Sequence, residues 1–208
     1  MQHGSNNRNG VDIGVTEVLL FHHAQGQTAG FQAFARRLRA DKHTVHTPDL
    51  YEGHTFSSLE EGVAYAKKVG FDTLAKRGQH AAEGLPKEVV YAGFSLGVLP
   101  AQFLAQTRQG AKGALLFSAA FPPEEFGGPW PTRVPLQIHM MVGDKWVQEG
   151  DLDAARKLAS SVEGAELLLY PGDRHLFADS SLPDYDERAA ELLLERVLEF
   201  LSKVGGRT

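Results

Sequence analysis

The fold of this chain is decided by Glu88-Val-Val-Tyr-Ala-Gly-Phe-Ser-Leu-Gly-Val-Leu-Pro-Ala-Gln-Phe-Leu-Ala105. Residues 89–92 form a short apolar run typical of a buried strand, and residues 99–104 continue with apolar side chains at helical spacing. Gly93-Phe94-Ser95-Leu96-Gly97 lies between them. We therefore predict a strand, a sharp turn and a helix in direct succession, with Ser95 at the apex of the turn.

A serine in this position is the hallmark of a nucleophile elbow, because the turn exposes its hydroxyl at the edge of the sheet. The backbone N–H of the next residue, Leu96, can then face a developing oxyanion. Gly93 and Gly97 leave room for the helix to pack against the strand. The flanking strand and helix favour a nucleophile over the alternative, in which Ser95 only caps the helix.

Composition narrows the classes of function that remain. The 208 residues carry a formal net charge of −5 and contain no cysteine. Without a basic cluster, neither nucleic acid nor an anionic membrane surface is an expected partner. The lack of cysteine excludes disulfides, thiolate metal sites and a cysteine nucleophile, so a nucleophile of this chain must be an oxygen.

The first residues differ from the rest of the chain. Residues 1–14 are polar and rich in glycine and asparagine, without the apolar segment of a signal peptide. We predict a flexible N-terminal tail over residues 1–14 and a single domain over residues 15–208. No apolar run is long enough to span a membrane, so we expect a cytoplasmic protein.

Periodicity predicts strands that alternate with helices along the chain. The predicted strands are residues 17–21, 44–49, 89–92, 113–118, 135–142 and 166–170, of which the second is stopped by Pro48. The predicted helices, besides the elbow helix, are residues 29–39, a region from 58 to 83 that breaks near Gly70, residues 151–160, and residues 184–204 with Asp184 and Glu187 as a capping pair. This alternation indicates a mostly parallel sheet with helices on both faces, and ligands bind such sheets at the carboxyl ends of the strands.

An elbow serine needs a histidine as general base and a carboxylate that orients the histidine. Asp144 directly follows the predicted strand 135–142, and His175 lies five residues after the strand that ends at Tyr170. The order Ser, Asp, His is the order found in α/β-hydrolases. We predict the triad Ser95, Asp144 and His175; the alternatives are a turn-forming role for Asp144 and a solvent-exposed loop position for His175.

The loop after the first strand should supply the second oxyanion donor, for which the backbone N–H of Ala24 is the best candidate. Aromatic residues in the loops near the site predict an apolar pocket for a small acyl or aryl group. The predicted pocket residues are His23, Gln25, Phe94, Phe121, Trp146 and Phe177.

A metal site is a weaker interpretation. His22 and His23 are adjacent, and His54 or His139 could serve as a third ligand. Neighbouring residues of an extended segment point in opposite directions, however, and no established ligand spacing is present. We expect neither a metal nor a cofactor, and we interpret His139, inside an apolar strand, as a buried structural residue.

From about Val18 onward the chain resembles the dienelactone hydrolase family. The resemblance rests on the elbow and on Pro48-Asp49-Leu50-Tyr51, Gly143-Asp144, Tyr170-Pro171-Gly172 and His175-Leu-Phe-Ala-Asp179. It implies an α/β-hydrolase fold without a large lid domain. It also implies a usually monomeric enzyme without a cofactor that acts on esters or lactones of small carboxylic acids.

The chain departs from the family pattern at the site. Ser95 stands where the family has a cysteine, which implies a conventional serine esterase. His23 stands where the best-known members have a glutamate. Gly53 and Asp179 stand where those members have arginines that bind a substrate carboxylate. The loss of both positive charges favours neutral esters over an anionic dienelactone.

We therefore predict a serine hydrolase, monomeric or homodimeric, whose partner is a small ester or lactone. Three alternatives remain open: a thioesterase or acyltransferase with the same triad, a non-catalytic small-molecule-binding member of the fold, and a metal-dependent hydrolase using His22, His23 and His54.

Overall fold

A computed structural model of the protein describes residues 14–147 and 150–206. Its centre is a six-stranded sheet with the strand order β2-β1-β3-β4-β5-β6, in which every neighbouring pair is parallel. The strands are β1 (Glu17–Phe21), β2 (Thr44–His46), β3 (Val89–Phe94), β4 (Gly113–Phe117), β5 (Leu136–Met141) and β6 (Glu166–Tyr170). Strands β3, β4 and β5 are buried along their whole length, as expected for a parallel sheet covered on both faces.

Helices cover both faces of the sheet. They are α1 (Ala29–Ala40), α2 (Leu59–Val69), α3 (Phe71–Glu83), α4 (Val98–Thr107), α5 (Asp151–Ser161) and α6 (Glu187–Gly205), with short 3₁₀ turns at Ser95–Gly97 and Pro123–Phe126. One core cluster lies under α2 to α5 and the other under α1 and α6. The described connections hold no large lid domain, so the predicted α/β-hydrolase fold is confirmed.

Apolar periodicity explains how the helices attach. The apolar stripe of α6 is buried at every position, namely Ala190, Leu193, Leu194, Val197, Leu201 and Val204. The predicted break near Gly70 is also confirmed, because α2 ends at Val69 and α3 begins at Phe71. Removing such stripes from water is the main source of stability in a fold of this kind.

Two details of the prediction were wrong. Helix α6 begins at Glu187 rather than near residue 184, and its cap is Asp186, whose side chain accepts the N–H of Ala189. The carboxylate of Asp184 instead accepts the N–H of Leu176 at 3.3 Å, so it holds the neighbouring loop. Strand β2 ends at His46 rather than at residue 49, and it stops before Pro48 as predicted, because proline has no N–H to donate to a neighbouring strand.

The predicted N-terminal tail lies outside the described residues except for Gly14. Within residues 14–147 and 150–206, no helix combines the length and the apolar character needed to cross a membrane.

Candidate active site

Ser95 lies where β3 turns into α4, as the sequence predicts. Its φ of 48° places a non-glycine residue in the left-handed region, a conformation that costs about 1–3 kcal/mol. The tight turn depends on Gly93 and Gly97. A Cβ on Gly93 would strike the carbonyl of Gly97, and a Cβ on Gly97 would lie 2.5 Å from the carbonyl oxygen of Phe21. The elbow is therefore built by close backbone contact between β3, β1 and the start of the helix.

The structure brings the three predicted catalytic residues together. Nε2 of His175 lies 2.7 Å from Oγ of Ser95, and Nδ1 of the same ring lies 2.6 Å from Oδ2 of Asp144. The other carboxylate oxygen of Asp144 accepts the N–H of Trp146 at 2.9 Å. A carboxylate can only accept a hydrogen bond, so Nδ1 carries the ring proton and Nε2 is free to accept from the serine hydroxyl. This is the arrangement of a nucleophile, a base and an orienting carboxylate.

The sheet edge explains this convergence. Asp144 follows β5 and His175 follows β6, and the two loops are joined by a hydrogen bond from the N–H of Gly143 to the carbonyl of Gly172 (2.8 Å). Ser118, at the end of β4, donates its hydroxyl to the carbonyl of His175 at 2.6 Å. Sequence reasoning missed Ser118, since nothing local marks a contact across 57 residues.

A cavity of about 300 Å³ opens beside Ser95. Its wall includes Leu96 and Ala24, the two residues predicted to supply oxyanion donors, and also Phe121. The remaining lining residues come from helices and loops on the same face of the sheet: Val63, Ala66, Phe71, Leu99, Ala119 and Asp151. The space is therefore small and mostly apolar.

Several predicted pocket residues lie elsewhere. Phe94 and Phe177 are buried in the core under α1 and α6, on the opposite face of the sheet from this cavity. Successive strand residues face opposite sides, so Phe94, next to Ser95, points away from it. Gln25 is buried and donates its amide to the carbonyl of Phe56 at 3.1 Å. Trp146 is 44% exposed, with its ring centroid 6.0 Å from that of His175, so it lies at the rim.

His23, the remaining predicted pocket residue, belongs to a second buried histidine–aspartate pair. Its Nε2 lies 2.9 Å from Oδ2 of Asp179, and its Nδ1 accepts the N–H of Gln25 at 3.2 Å. The Thr28 hydroxyl also donates to Oδ2, while the N–H and hydroxyl of Ser181 donate to Oδ1 at 2.9 and 2.7 Å. The pair joins the loop after β1 to the loop that carries His175.

The charge states of this pair follow from its environment. Burial lowers the pKa of His23, and the hydrogen bond and charge of Asp179 offset only part of that effect, so the ring is neutral. Burial alone would raise the pKa of Asp179, but hydrogen bonds from its three donor residues outweigh burial and lower that pKa to about 2. The pair is a neutral imidazole that donates to a carboxylate.

His22 and His139, two further histidines of the metal interpretation, are fully buried. Nδ1 of His22 donates to the carbonyl of His23 at 2.7 Å, and its Nε2 accepts the N–H of Leu50 at 3.0 Å. His139 is fully buried, as expected, and burial lowers its pKa to about 3. The described part of the chain holds no group of three or more side chains that could bind a metal ion.

Comparison with known proteins places the chain among hydrolases of this fold. A model of the dienelactone hydrolase family matches residues 11–205. No curated protein matches the sequence. A dienelactone hydrolase-like promiscuous phosphotriesterase from metagenomic libraries is 19% identical with a TM-score of 0.70, over 92% of this chain and 87% of that one.

Two further solved structures share the fold. Thermogutta terrifontis esterase 2 is 18% identical with a TM-score of 0.58, over 92% of this chain and 84% of that one. A dienelactone hydrolase from Anabaena variabilis is 17% identical with a TM-score of 0.56, over 94% of this chain and 86% of that one. The structural matches show the fold, and the family model spans nearly the whole sequence. The chain therefore belongs to the dienelactone hydrolase family of hydrolases.

Proposed function

We propose that this protein is a serine hydrolase that cleaves esters or lactones of small carboxylic acids through an acyl-enzyme on Ser95. One observation carries the proposal: Oγ of Ser95 lies 2.7 Å from Nε2 of His175, whose Nδ1 lies 2.6 Å from Asp144. The left-handed φ of Ser95 adds support, since strained backbone is concentrated at functional sites.

The proposed reaction proceeds in two halves. Nε2 of His175 takes the hydroxyl proton of Ser95 as Oγ attacks the substrate carbonyl carbon. The N–H groups of Leu96 and Ala24 hold the resulting oxyanion. His175 then gives the proton to the departing alkoxide and leaves an acyl-enzyme. Water repeats the sequence, so that the acid is released and the Ser95 hydroxyl is restored.

The orienting carboxylate has a defined part in this scheme. Asp144 is 1% exposed and holds the proton of His175 on Nδ1, so the ring presents an unprotonated Nε2 to the serine. When His175 becomes an imidazolium, the buried negative charge of Asp144 stabilises it. The proposal involves no metal or cofactor.

The shape of the site favours small substrates. A cavity of about 300 Å³ with mostly apolar walls suits a short acyl group or a small lactone ring. Asp179 matches a position at which the family's best-known members have an arginine that binds a substrate carboxylate. Esters without a negative charge are therefore the proposed substrates, acted on by a cytoplasmic monomer or homodimer.

The test compares wild-type protein and Ser95→Ala on nitrophenyl esters from acetate to octanoate, with one neutral and one anionic lactone. We expect short neutral esters to be hydrolysed fastest and the mutant to be inactive. Hydrolysis that is unchanged in Ser95→Ala would refute the acyl-enzyme. Acyl transfer to an added alcohol that outpaces hydrolysis would instead identify an acyltransferase.

A further inference from the structure

Asp151 is an unusual residue of the cavity beside Ser95. It is the first residue of α5, it is partly buried, and its neighbours along the cavity wall are apolar apart from Ser95. It is the only charged side chain among the lining residues in the described parts of the chain. A carboxylate in such a place loses part of its hydration and needs a hydrogen-bond donor or a positive charge in return.

No protein group within residues 14–147 and 150–206 meets that need. The Asp151 carboxylate accepts no hydrogen bond there and forms no ion pair. The charged groups that face it are His175, Asp144 and Glu125. Burial raises the pKa of Asp151; the positive form of His175 opposes this effect, and the two carboxylates add to it.

Two other aspartates of this protein have carboxylates whose charge is balanced by hydrogen bonds or by an ion pair. Asp179 accepts hydrogen bonds on both oxygens from three residues. Asp153, also in the first turn of α5, is exposed and pairs with Arg156 at 3.3 Å. Asp151 lies against the substrate cavity without full hydration, and no partner for it is found among the residues that the structure describes.

The rest of the cavity wall indicates what kind of group would complete it. Phe71 and Phe121 line the same space as Asp151. Aromatic rings together with a carboxylate form the combination that receives an organic ammonium ion, through charge attraction and cation–π contact. A substrate carboxylate would instead meet repulsion from Asp151.

We propose that Asp151 forms a subsite for a cationic organic group, so that the preferred substrates are small esters that carry an ammonium group. The inference rests on the proposed hydrolase function and narrows its substrate class. Asp151 acts here in binding and specificity and takes no part in the proton transfers at Ser95.

The first test uses two isosteric thioesters. Acetylthiocholine carries a quaternary ammonium group, and 3,3-dimethylbutyl thioacetate replaces the nitrogen with carbon. Because the chain contains no cysteine, a thiol reagent measures the released product without background from the protein. We expect the wild-type kcat/KM ratio of the cationic to the neutral substrate to fall about five- to tenfold in Asp151→Asn, the size expected when one partly screened ion pair is lost.

Asp153→Asn is the matched control, since it removes one negative charge from the same turn at an exposed position. Its substrate ratio should equal the wild-type ratio. An equal fall in both variants would show a general charge effect and would overturn the subsite. An unchanged ratio in Asp151→Asn would also overturn the subsite. If the neutral thioester is nevertheless hydrolysed in a Ser95-dependent way, the proposed hydrolase function stays intact.

A second readout does not need turnover. Tetramethylammonium chloride is titrated at constant ionic strength while the fluorescence of tryptophan is followed, because Trp146 lies at the rim of the site. We expect saturable binding to wild type and to Asp153→Asn, and a loss of binding in Asp151→Asn. If no ester is hydrolysed, the function proposal fails and this titration alone decides the subsite. Absent binding to wild type, or equal binding to Asp151→Asn, overturns it.

Discussion

The protein contains two histidine–aspartate pairs that are similarly buried but have different surroundings. In the first, His175 and Asp144 are 5% and 1% exposed and 2.6 Å apart. In the second, His23 and Asp179 are 1% and 4% exposed and 2.9 Å apart. Burial and the length of the histidine–carboxylate contact are therefore similar, so neither can explain a difference in role.

The two pairs differ in the group that the second ring nitrogen of the histidine contacts. Nε2 of His175 faces the hydroxyl of Ser95, a group that can give up its proton. Nδ1 of His23 accepts the backbone N–H of Gln25, which cannot be deprotonated under ordinary conditions. The same two residue types thus make a proton-transfer pair in one place and a structural clamp in the other. The partner of the free nitrogen decides which role is available.

The largest effect is expected from the substitution that removes the hydroxyl of Ser95, the group that distinguishes the first pair from the second. Ser95→Ala leaves His175 without a proton to take, so kcat/KM for a short nitrophenyl ester should fall by about 10⁴-fold or more. Steady-state kinetics on purified protein measure the change, with the thermal unfolding midpoint as the control for folding. A residual rate within tenfold of wild type would remove Ser95 from the proposed role.

The next expected effect acts on the orientation of His175. Asp144→Asn keeps the shape of the side chain but removes the negative charge and favours the wrong tautomer, so kcat should fall by about 10⁴-fold. KM should change much less, because the substrate does not touch this residue in the proposed scheme. A loss confined to KM would contradict the orienting role of Asp144.

The matching change in the second pair should give the opposite pattern. Asp179→Asn replaces a carboxylate oxygen, which now accepts hydrogen bonds, with an NH₂ group that faces the same donors. The free energy of unfolding should therefore fall by about 2–4 kcal/mol. Urea denaturation measures it. We expect the activity of the folded variant to fall far less than in Asp144→Asn, because His23 transfers no proton.

A surface ion pair provides the control for this stability effect. Arg37 and Glu191 lie 2.5 Å apart and are both about half exposed, so Glu191→Gln should cost about 1 kcal/mol or less. If Asp179→Asn also costs no more than this, the clamp role of the second pair is wrong. If Asp179→Asn abolishes turnover as fully as Asp144→Asn while the protein stays folded, the distinction between the two pairs fails.

The last expected effect is a dependence of stability on pH. The pKa of His139 is lowered to about 3 and that of His23 is lowered as well, so below pH 6.5 the unfolded chain binds protons that the folded protein does not. Stability should therefore fall as the pH drops below 6.5, with a slope for His139 that approaches about 1.4 kcal/mol per pH unit. His23 adds to this slope only down to its own lowered pKa. The contribution of Asp179, with a pKa of about 2, is lost only below pH 3.8.

Urea denaturation from pH 8 to pH 4.5 measures this slope, and His139→Gln should reduce it. The slope is the informative quantity, since the substitution changes the overall stability as well. A slope that does not respond to His139→Gln would show that this histidine does not stay neutral in the folded protein.

Local sequence patterns were sufficient to predict much of the fold. The boundaries of β1 and β6, the elbow and the break at Gly70 could all be predicted, because each depends on short-range backbone preferences and on apolar periodicity. Asp144 and His175 could be named for a related reason: parallel strands deliver the residues that follow them to one edge of the sheet. The capping residue of α6 could not be chosen between Asp184 and Asp186, since both are adequate caps and only the loop contact of Asp184 separates them.

The pocket and the second pair were decided by tertiary structure. His23 and Asp179 are 156 residues apart in the chain, and Phe71 and Asp151 reach the cavity from helices whose docking no local pattern specifies. The sequence by itself determined a serine elbow on a parallel sheet, with an aspartate and a histidine at the same edge. Only the packed structure decided which histidine faces a hydroxyl and which cavity carboxylate has no partner among the described residues, because those outcomes depend on contacts between distant segments.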